Sequence, residues 1–382
     1  MKLQSNKKIA GFTLIELLIA MAVTLILLYA AVQVFRDATY SNQVVVQAAD
    51  MTDNLRAGLN LIQQDLQQAG AGIPVGGIYI PFTPNGSGCG TTPLINRPVL
   101  GGTTTFPACN ATIPAVEPGN SLGPALTAPD AAAGTASNPT PNGVTDEITM
   151  LYEDNSLKLD NLPVYDAAKC PNGSMSLAGT TLTVKFDPAC INLTTAGITL
   201  QVGDLILLQN PNGNTLLCVT GVSLASNTLT FGSGDPFGLN GRSDTGGTIK
   251  QLETSSTCGG ANSCFPSTLA TRVWMISYYL DNVSSPPFVR LIRQINLYSP
   301  VVVGETLENL QFTYNFVDGI TNPSNQPTVP TGNSESQIRS VNIYLGARSS
   351  YVVHQGNNTT YARNNLMTQV SLRSLAYVDR YF

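Results

Sequence analysis

One carboxylate stands alone in an apolar run. Phe12 to Phe35 carries Glu16 as its only charge, behind a basic leader with Lys2, Lys7 and Lys8. A charge within a membrane helix costs roughly 2.5–3.5 kcal/mol on insertion scales, so it is normally kept for function and has a partner. The most economical partner is a positive charge made nearby: the new α-amino group, if the chain is cut between Gly11 and Phe12. The chemistry this spacing suggests is charge pairing at a processed N-terminus.

The other reactive side chains suggest little catalysis. Seven cysteines, at 89, 109, 170, 190, 218, 258 and 264, all follow the apolar run. None forms a C-x-x-C pair and the only histidine is His354, so a Cys/His zinc site of ordinary spacing is disfavoured, and neither metal nor cofactor is expected. Beyond a membrane, disulfides are the default. Proximity favours Cys89–Cys109, Cys170–Cys190 and Cys258–Cys264, although sequence alone does not fix connectivity. Cys218, in TLLCVTGV, reads as a buried inert thiol.

Nucleotide-binding and hydrolase signatures are missing, and GSGDPFG at 232–238 has the wrong glycine spacing. His354, in SSYVVHQGNN, reads as a strand end. Asp146/Glu147 and Glu153/Asp154 are adjacent pairs that a strand would point to opposite faces, which suggests a solvated surface. Asp235, Asn240 and Asp244 offer oxygen ligands for a cation such as calcium, but such loops are usually turns. Trp274, Tyr278 and Tyr279 suit core packing on a strand. An enzyme is not expected.

An ordinary secretory signal would be cut after its apolar region at an A-x-A-like site, and Leu28 or Tyr29 occupies the place where a small residue is wanted. The lysines predict a cytoplasmic N-terminus. From Phe12 to Arg56 there is no Gly or Pro. Val44, Ala48, Met51, Leu55, Leu59, Ile62, Leu66 and Ala69 form one apolar stripe, with Asn54, Gln63, Gln64, Asp65 and Gln67 on the other faces. Gly70 to Pro74 is a stop signal, which predicts a helix from Phe12 to about Ala69, roughly 85 Å at ~1.5 Å per residue.

Residues 71–143 are rich in Gly, Pro, Thr, Ser and Asn and read as a long loop region, with short strands at GGIYIPF and PLINRPVL. From 144 onward, β-prone runs alternate with turn signals. They include EITMLYE, ITLQV, DLILLQN, TLLCVTGV, TIKQLE, RVWMISYYLD and PFVRLIRQINL, with a helix-type VGETLENL before QFTYNFVD. Asn210 to Asn214 predicts a hairpin with Asn-Gly turn chemistry. A small β subdomain is expected at about 197–250. Charged residues make up only 11 % and the formal net charge is −5, so a nucleic-acid partner is not expected.

KKIAGFTLIELLIAMAV resembles the processing site of type IV prepilins and type II secretion pseudopilins. The resemblance implies that prepilin peptidase cuts after Gly11 and N-methylates Phe12, and that Glu16 pairs with the N-terminus of a neighbouring subunit. The order of later pieces, NLIQQDLQQAG, GDLILL, LENLQFTYNFVDG, RSVNIYL and VSLRSLAY, resembles PilW-type minor pilins. That implies an α+β fold with the long helix packed on an antiparallel sheet. Its parts would be a leader at 1–11, a membrane-spanning or filament-core half at 12–35, an amphipathic half at 36–70, the loop region at 71–143 and a β-rich head at 144–382.

It implies a minor pilin that helps initiate or cap a type IV pilus. Its partners would be prepilin peptidase, other minor pilins, the major pilin, the inner-membrane assembly platform and lipid. It would span the inner membrane once, with its head in the periplasm, before reaching the pilus and cell surface. The J-kind pseudopilin of type II secretion shares this plan. A membrane-anchored or pilus-tip adhesin, binding through loops 71–143 or 232–264, is an alternative of another class. Major pilins often carry helix breakers where this chain has Leu25 and Gln33, which points to a minor component.

Overall fold

The helix α1 (Leu14–Gln68) is unbroken over 55 residues. The computed structural model describes residues 13–74, 76–79, 96–97, 104–105, 112–126, 144–154, 163–166, 168–195, 198–240, 249–254, 264–282, 289–355 and 358–378. α1 is long because helix formers fill it and its first glycine is Gly58. It ends where Gly70 adopts φ +83°, the left-handed conformation glycine takes at least cost. The Gly70 N–H then donates to Leu151 O at 2.9 Å, so the chain passes directly from helix into sheet pairing.

The chain divides into two compact units. One holds residues up to Thr52 together with Ser349–Ala362; the other holds Asp53–Arg348 and the residues from Arg363 on. In the first, the large apolar side chains from Leu14 to Phe35 are exposed. α1 is the one helix among the described residues long and apolar enough to cross a membrane. The expected apolar stripe is buried only from Met51 onward, through Leu55, Leu59, Ile62, Leu66 and Ala69. Val44 is half-buried and Ala48 exposed, so the periodic pattern begins before the burial does.

The second unit is built on antiparallel sheets. Two short ribbons pair β1 (Ile78–Tyr79) with β4 (Thr112–Ile113) and β2 (Asn96–Arg97) with β3 (Thr104–Thr105). The eight-stranded sheet has β14 (Thr268–Asp281) as its spine. On one edge β14 pairs β10 (Leu205–Asn210) and then β15 (Arg290–Ile295). On the other it pairs β7 (Pro163–Tyr165) and then β6 (Glu147–Glu153). β11 (Gly213–Cys218), β16 (Val301–Glu305) and β5 (Val116–Gly119) complete it.

The β10–β11 hairpin turns on Pro211 and Asn212, since Asn210 pairs with Gly213. Asn210 Oδ1 accepts the N–H groups of Asn212 and Gly213 at 2.9 and 3.2 Å, an Asx-type turn in place of the expected Asn-Gly one. Both faces of this hairpin are covered, which explains its continuous apolar run. Ile206, Leu208, Leu217 and Val219 face one core cluster; Leu205, Leu207, Leu216 and Cys218 face another, with Phe237, Val273 and Met275.

The first cluster is shared with a four-stranded sheet of β8 (Ser174–Ala178), β9 (Thr181–Lys185), β13 (Thr228–Phe231) and β12 (Gly221–Ser223). The region 197–250, expected as one subdomain, is thus divided. Its 205–218 hairpin belongs to the large sheet, while its 221–231 strands join a hairpin from 174–185. ITLQV forms no strand, and TIKQLE contributes a 3-10 turn at Ile249–Leu252.

A third sheet has three strands, β17 (Leu307–Phe316), β18 (Ile338–Gln355) and β19 (Asn358–Ser371), followed by a short helix α2 (Arg373–Val378). VGETLENL, expected as helical, is instead the end of β16 and the start of β17, broken at Thr306 with φ +59°. Its LENL residues are buried on both faces, so tertiary burial overrides their helix propensity. The helix approaches two of the sheets at Gly58. A Cβ there would lie 2.8 Å from Leu291 Cδ2 in β15 and 3.2 Å from Leu345 Cδ2 in β18.

Candidate functional site

Glu16 lies in the first turn of α1, and Thr13 is the residue that organises it. The Thr13 N–H donates to Glu16 Oε2 at 3.0 Å and the Thr13 hydroxyl donates to the same oxygen at 2.9 Å. In return the Glu16 N–H donates to Thr13 Oγ1 at 3.3 Å. This is a capping box: two backbone donors that the helix start would leave unpaired are satisfied reciprocally. Negative charge there is also favoured by the helix dipole. The T-x-x-E spacing is the local signal for this cap, so Glu16 has a partner within its own helix besides the expected intermolecular one. Gly11 and Phe12 lie outside the described residues. The side chains around Glu16 are exposed, so the carboxylate stays accessible to a second chain.

The other end of the helix is fixed by a buried charge. Asp65, expected on a polar face, is only 3 % exposed. It stands three residues after Ile62 and four before Ala69, which puts it on the docking face. Arg293 in β15 grips its carboxylate with two parallel bonds, Nε to Oδ2 at 2.7 Å and Nη2 to Oδ1 at 3.0 Å. Tyr152 in β6 donates to Oδ1 at 2.9 Å and Tyr278 in β14 to Oδ2 at 2.5 Å. Burial first, and then the Asp65 charge, push both phenols above their usual range. Burial pulls Arg293 down, but its bond to Asp65 and that carboxylate's charge outweigh it and hold the guanidinium protonated.

The remaining candidates resolve into structure. Asp146 and Glu147 are buried, as is Asp154, which overturns the expectation of a solvated surface. Asp146 accepts the N–H groups of Ser121 at 2.8 Å and Phe312 at 2.9 Å, tying β17 to the segment before β6. Asp154 takes Arg272 Nε at 2.8 Å, and the same guanidinium lies 4.4 Å from the Trp274 ring centroid. Tyr278 and Tyr279 are buried.

Asp235 accepts the N–H groups of Leu239 and Asn240, and Asn240 bonds the Cys218 backbone. These side chains close a turn instead of facing a cation, and Asp244 lies outside the described residues. No group of ligands able to hold a metal occurs among the described residues. His354 falls near the end of β18.

Cys170 and Cys190 are joined, with a Cα–Cα distance of 6.0 Å, and Cys264 is also disulfide-bonded. Cys89, Cys109 and Cys258 lie outside the described residues. Cys218 is a free thiol, and burial pushes it up to about 12, so it is poorly reactive.

What the arrangement can do is join chains. One end of α1 presents a capped carboxylate on an exposed apolar segment, and the other is clamped to a folded head. Comparison with curated proteins and with solved structures finds no match. Residues 6–32 match the family model described as the Prokaryotic N-terminal methylation motif. The motif implies processing by prepilin peptidase and assembly with other pilins, and it supports a type IV pilin or pseudopilin-like role. At its N-terminus the chain carries the N-methylation motif of prokaryotic prepilin-type proteins, continuous with a long apolar helix.

Proposed function

We propose that this chain is a PilW-type minor pilin that helps initiate or cap a type IV pilus. The observation that carries the reading is the methylation motif on a helix that is exposed and apolar through Phe35 and clamped into a β-rich head from Leu55 on. On this reading residues 1–11 are the leader, cleavage after Gly11 frees Phe12 for N-methylation, and the α-amino group of a neighbouring subunit docks against Glu16. Docking would draw the carboxylate from its Thr13 donors to a positively charged one, adding ion pairing to the hydrogen bond. The partners would be other minor pilins, the major pilin and the assembly platform, with the head first periplasmic and later at the cell surface. Leu25 and Gln33, where helix breakers are common in major pilins, support a minor subunit.

Glu16→Gln tests this directly. It keeps an acceptor for Thr13 but removes the charge, so the leader should still be removed while piliation drops sharply. Normal piliation with Glu16→Gln would count against the reading. A bulky residue in place of Gly11 should leave a heavier precursor in the membrane fraction. A minor pseudopilin of a type II secretion system is the second reading, since the same motif serves both machines. Loss of secretion, with pili intact, on deleting the chain would favour it.

A further inference from the structure

The four-stranded sheet has two unlike faces. Met175 and Leu177 of β8, Leu182 and Val184 of β9, and Leu229 and Phe231 of β13 pack into the first core cluster. The alternate residues point the other way, and nearly all of them are hydroxyls. Residues 174–176, 181–183, 228–230 and 221–223 read S-M-S, T-L-T, T-L-T and G-V-S. The strand register sets these side chains in rows. Ser223, Thr228, Lys185 and Ser174 stand side by side, and Gly221, Thr230, Thr183 and Ser176 form the next row. Neighbours within a row lie ~4.8 Å apart, and successive rows roughly 6.7 Å apart.

Two observations set this face apart from a merely solvated one. Ser and Thr neighbours on paired strands often bond one another, as Thr149 and Ser277 do at 2.7 Å in the large sheet. Ser226 ties Ser223 and Thr228 in that way. The hydroxyls of Thr230, Thr183, Ser176 and Ser174 bond no other group among the described residues, so their donors and acceptors are open to a ligand. The platform is also stiff. Its back shares a core with the large sheet, and the Cys170–Cys190 bridge joins the turn before β8 to the segment after β9. A ligand therefore meets groups that are already ordered.

We propose that this face binds a neutral polysaccharide, whose sugar hydroxyls exchange hydrogen bonds with the two rows. A hydroxyl both donates and accepts, so an array of them matches a ligand that does the same. Other partners fit worse. Protein hot spots favour Trp, Tyr and Arg, with Ser and Thr under-represented. A nucleic acid needs a basic groove and stacking aromatics, and the rows offer Lys185 alone and no aromatic. A lipid surface would cover the hydroxyls without pairing them. Each bond to a sugar replaces one to water and gains little; a polymer that repeats the contact along the rows adds those gains together. The threonine methyl groups between the hydroxyls suit the C–H faces of the sugar rings. This activity is independent of the pilus role.

The test mixes the full-length chain, in a detergent without a sugar headgroup, with insoluble cellulose and separately with chitin. The fraction left in solution is then measured. Depletion by at least one polymer is expected, and it should change little with salt because no ion pair carries it. Thr183→Val and Thr230→Val keep the side-chain shape and the strand propensity but remove the hydroxyl. Each should weaken binding about fivefold, as the loss of one hydrogen bond does, and the pair by more than tenfold. Ser176→Ala gives the same readout with less change to the strand. Thr331→Val, in the loop between β17 and β18, should bind as wild type. A retained Cys170–Cys190 disulfide in each variant reports that the subdomain still folds. Depletion by neither polymer overturns the proposal. So does binding that the face variants leave unchanged, or binding that salt abolishes.

Discussion

Asp65 shows how a single residue can decide whether the helix is part of the head. Its carboxylate is buried, gripped at two points by Arg293 and bonded by two phenols. Removing one partner of such a pair strands the other charge, which costs about 3–5 kcal/mol. Asp65→Ala should therefore destabilise the detergent-solubilised chain by that order in urea unfolding. Asp65→Leu combined with Arg293→Met should recover much of the loss; a double variant as unstable as Asp65→Ala would contradict the stranded-charge account.

Asp146 carries a pH dependence. Burial raises its carboxyl to about 6, against the smaller opposing pull of the Ser121 and Phe312 N–H groups, while the unfolded chain titrates near the ordinary ~3.9. The folded state thus holds this proton more tightly. The associated stability is fully present below about pH 4 and is lost as pH rises through about 6. The stability of wild type relative to Asp146→Asn should fall by on the order of 2–3 kcal/mol from pH 4 to pH 7. A difference that stays flat with pH would refute the assignment. Neither residue was legible as buried, because Asp65 meets Arg293 across a separation of 228 residues, and a lone acid on a helix reads as solvated until its partner is known.

At the scale of elements, α1 was the most legible part. Its absence of breakers, its T-x-x-E start and its Gly70 stop are local signals, and each has a local physical cause. The start of burial at Met51 was not legible, since the pattern of apolar residues continues smoothly through Val44 and Ala48. VGETLENL was misread because isolated propensity favours helix where the sheet buries both faces of LENL. Gly58 marks the close approach of helix to sheets. Gly58→Leu should destabilise the fold by about 1–3 kcal/mol through overpacking against Leu291 and Leu345, despite leucine's better helix propensity. An unchanged midpoint in urea would mean that the helix does not press there. The Cys170–Cys190 bridge spans 20 residues, and replacing both cysteines by serine should cost about 3 kcal/mol, measurable as a lowered unfolding midpoint relative to wild type.

For the whole molecule, the sequence named the class of assembly more readily than the details of the head. The motif is contiguous, from the leader lysines to the apolar run, so each residue can be read beside the next. The sheets depend on long-range pairings: β14 draws together strands from 147–153, 205–210 and 290–295, and sequence proximity gives no hint of that order. The helix carries the joining chemistry in its first turn. The proposed role requires that the processed chain enter a pilus as a minor subunit. The most direct measurement is mass spectrometry of sheared, purified pili, reading both the N-terminus of this chain and its ratio to the major subunit. A chain beginning at N-methylated Phe12, present far below the major subunit, is expected. A chain that keeps its leader, or that is missing from fibres whose other minor subunits are detected, would contradict it.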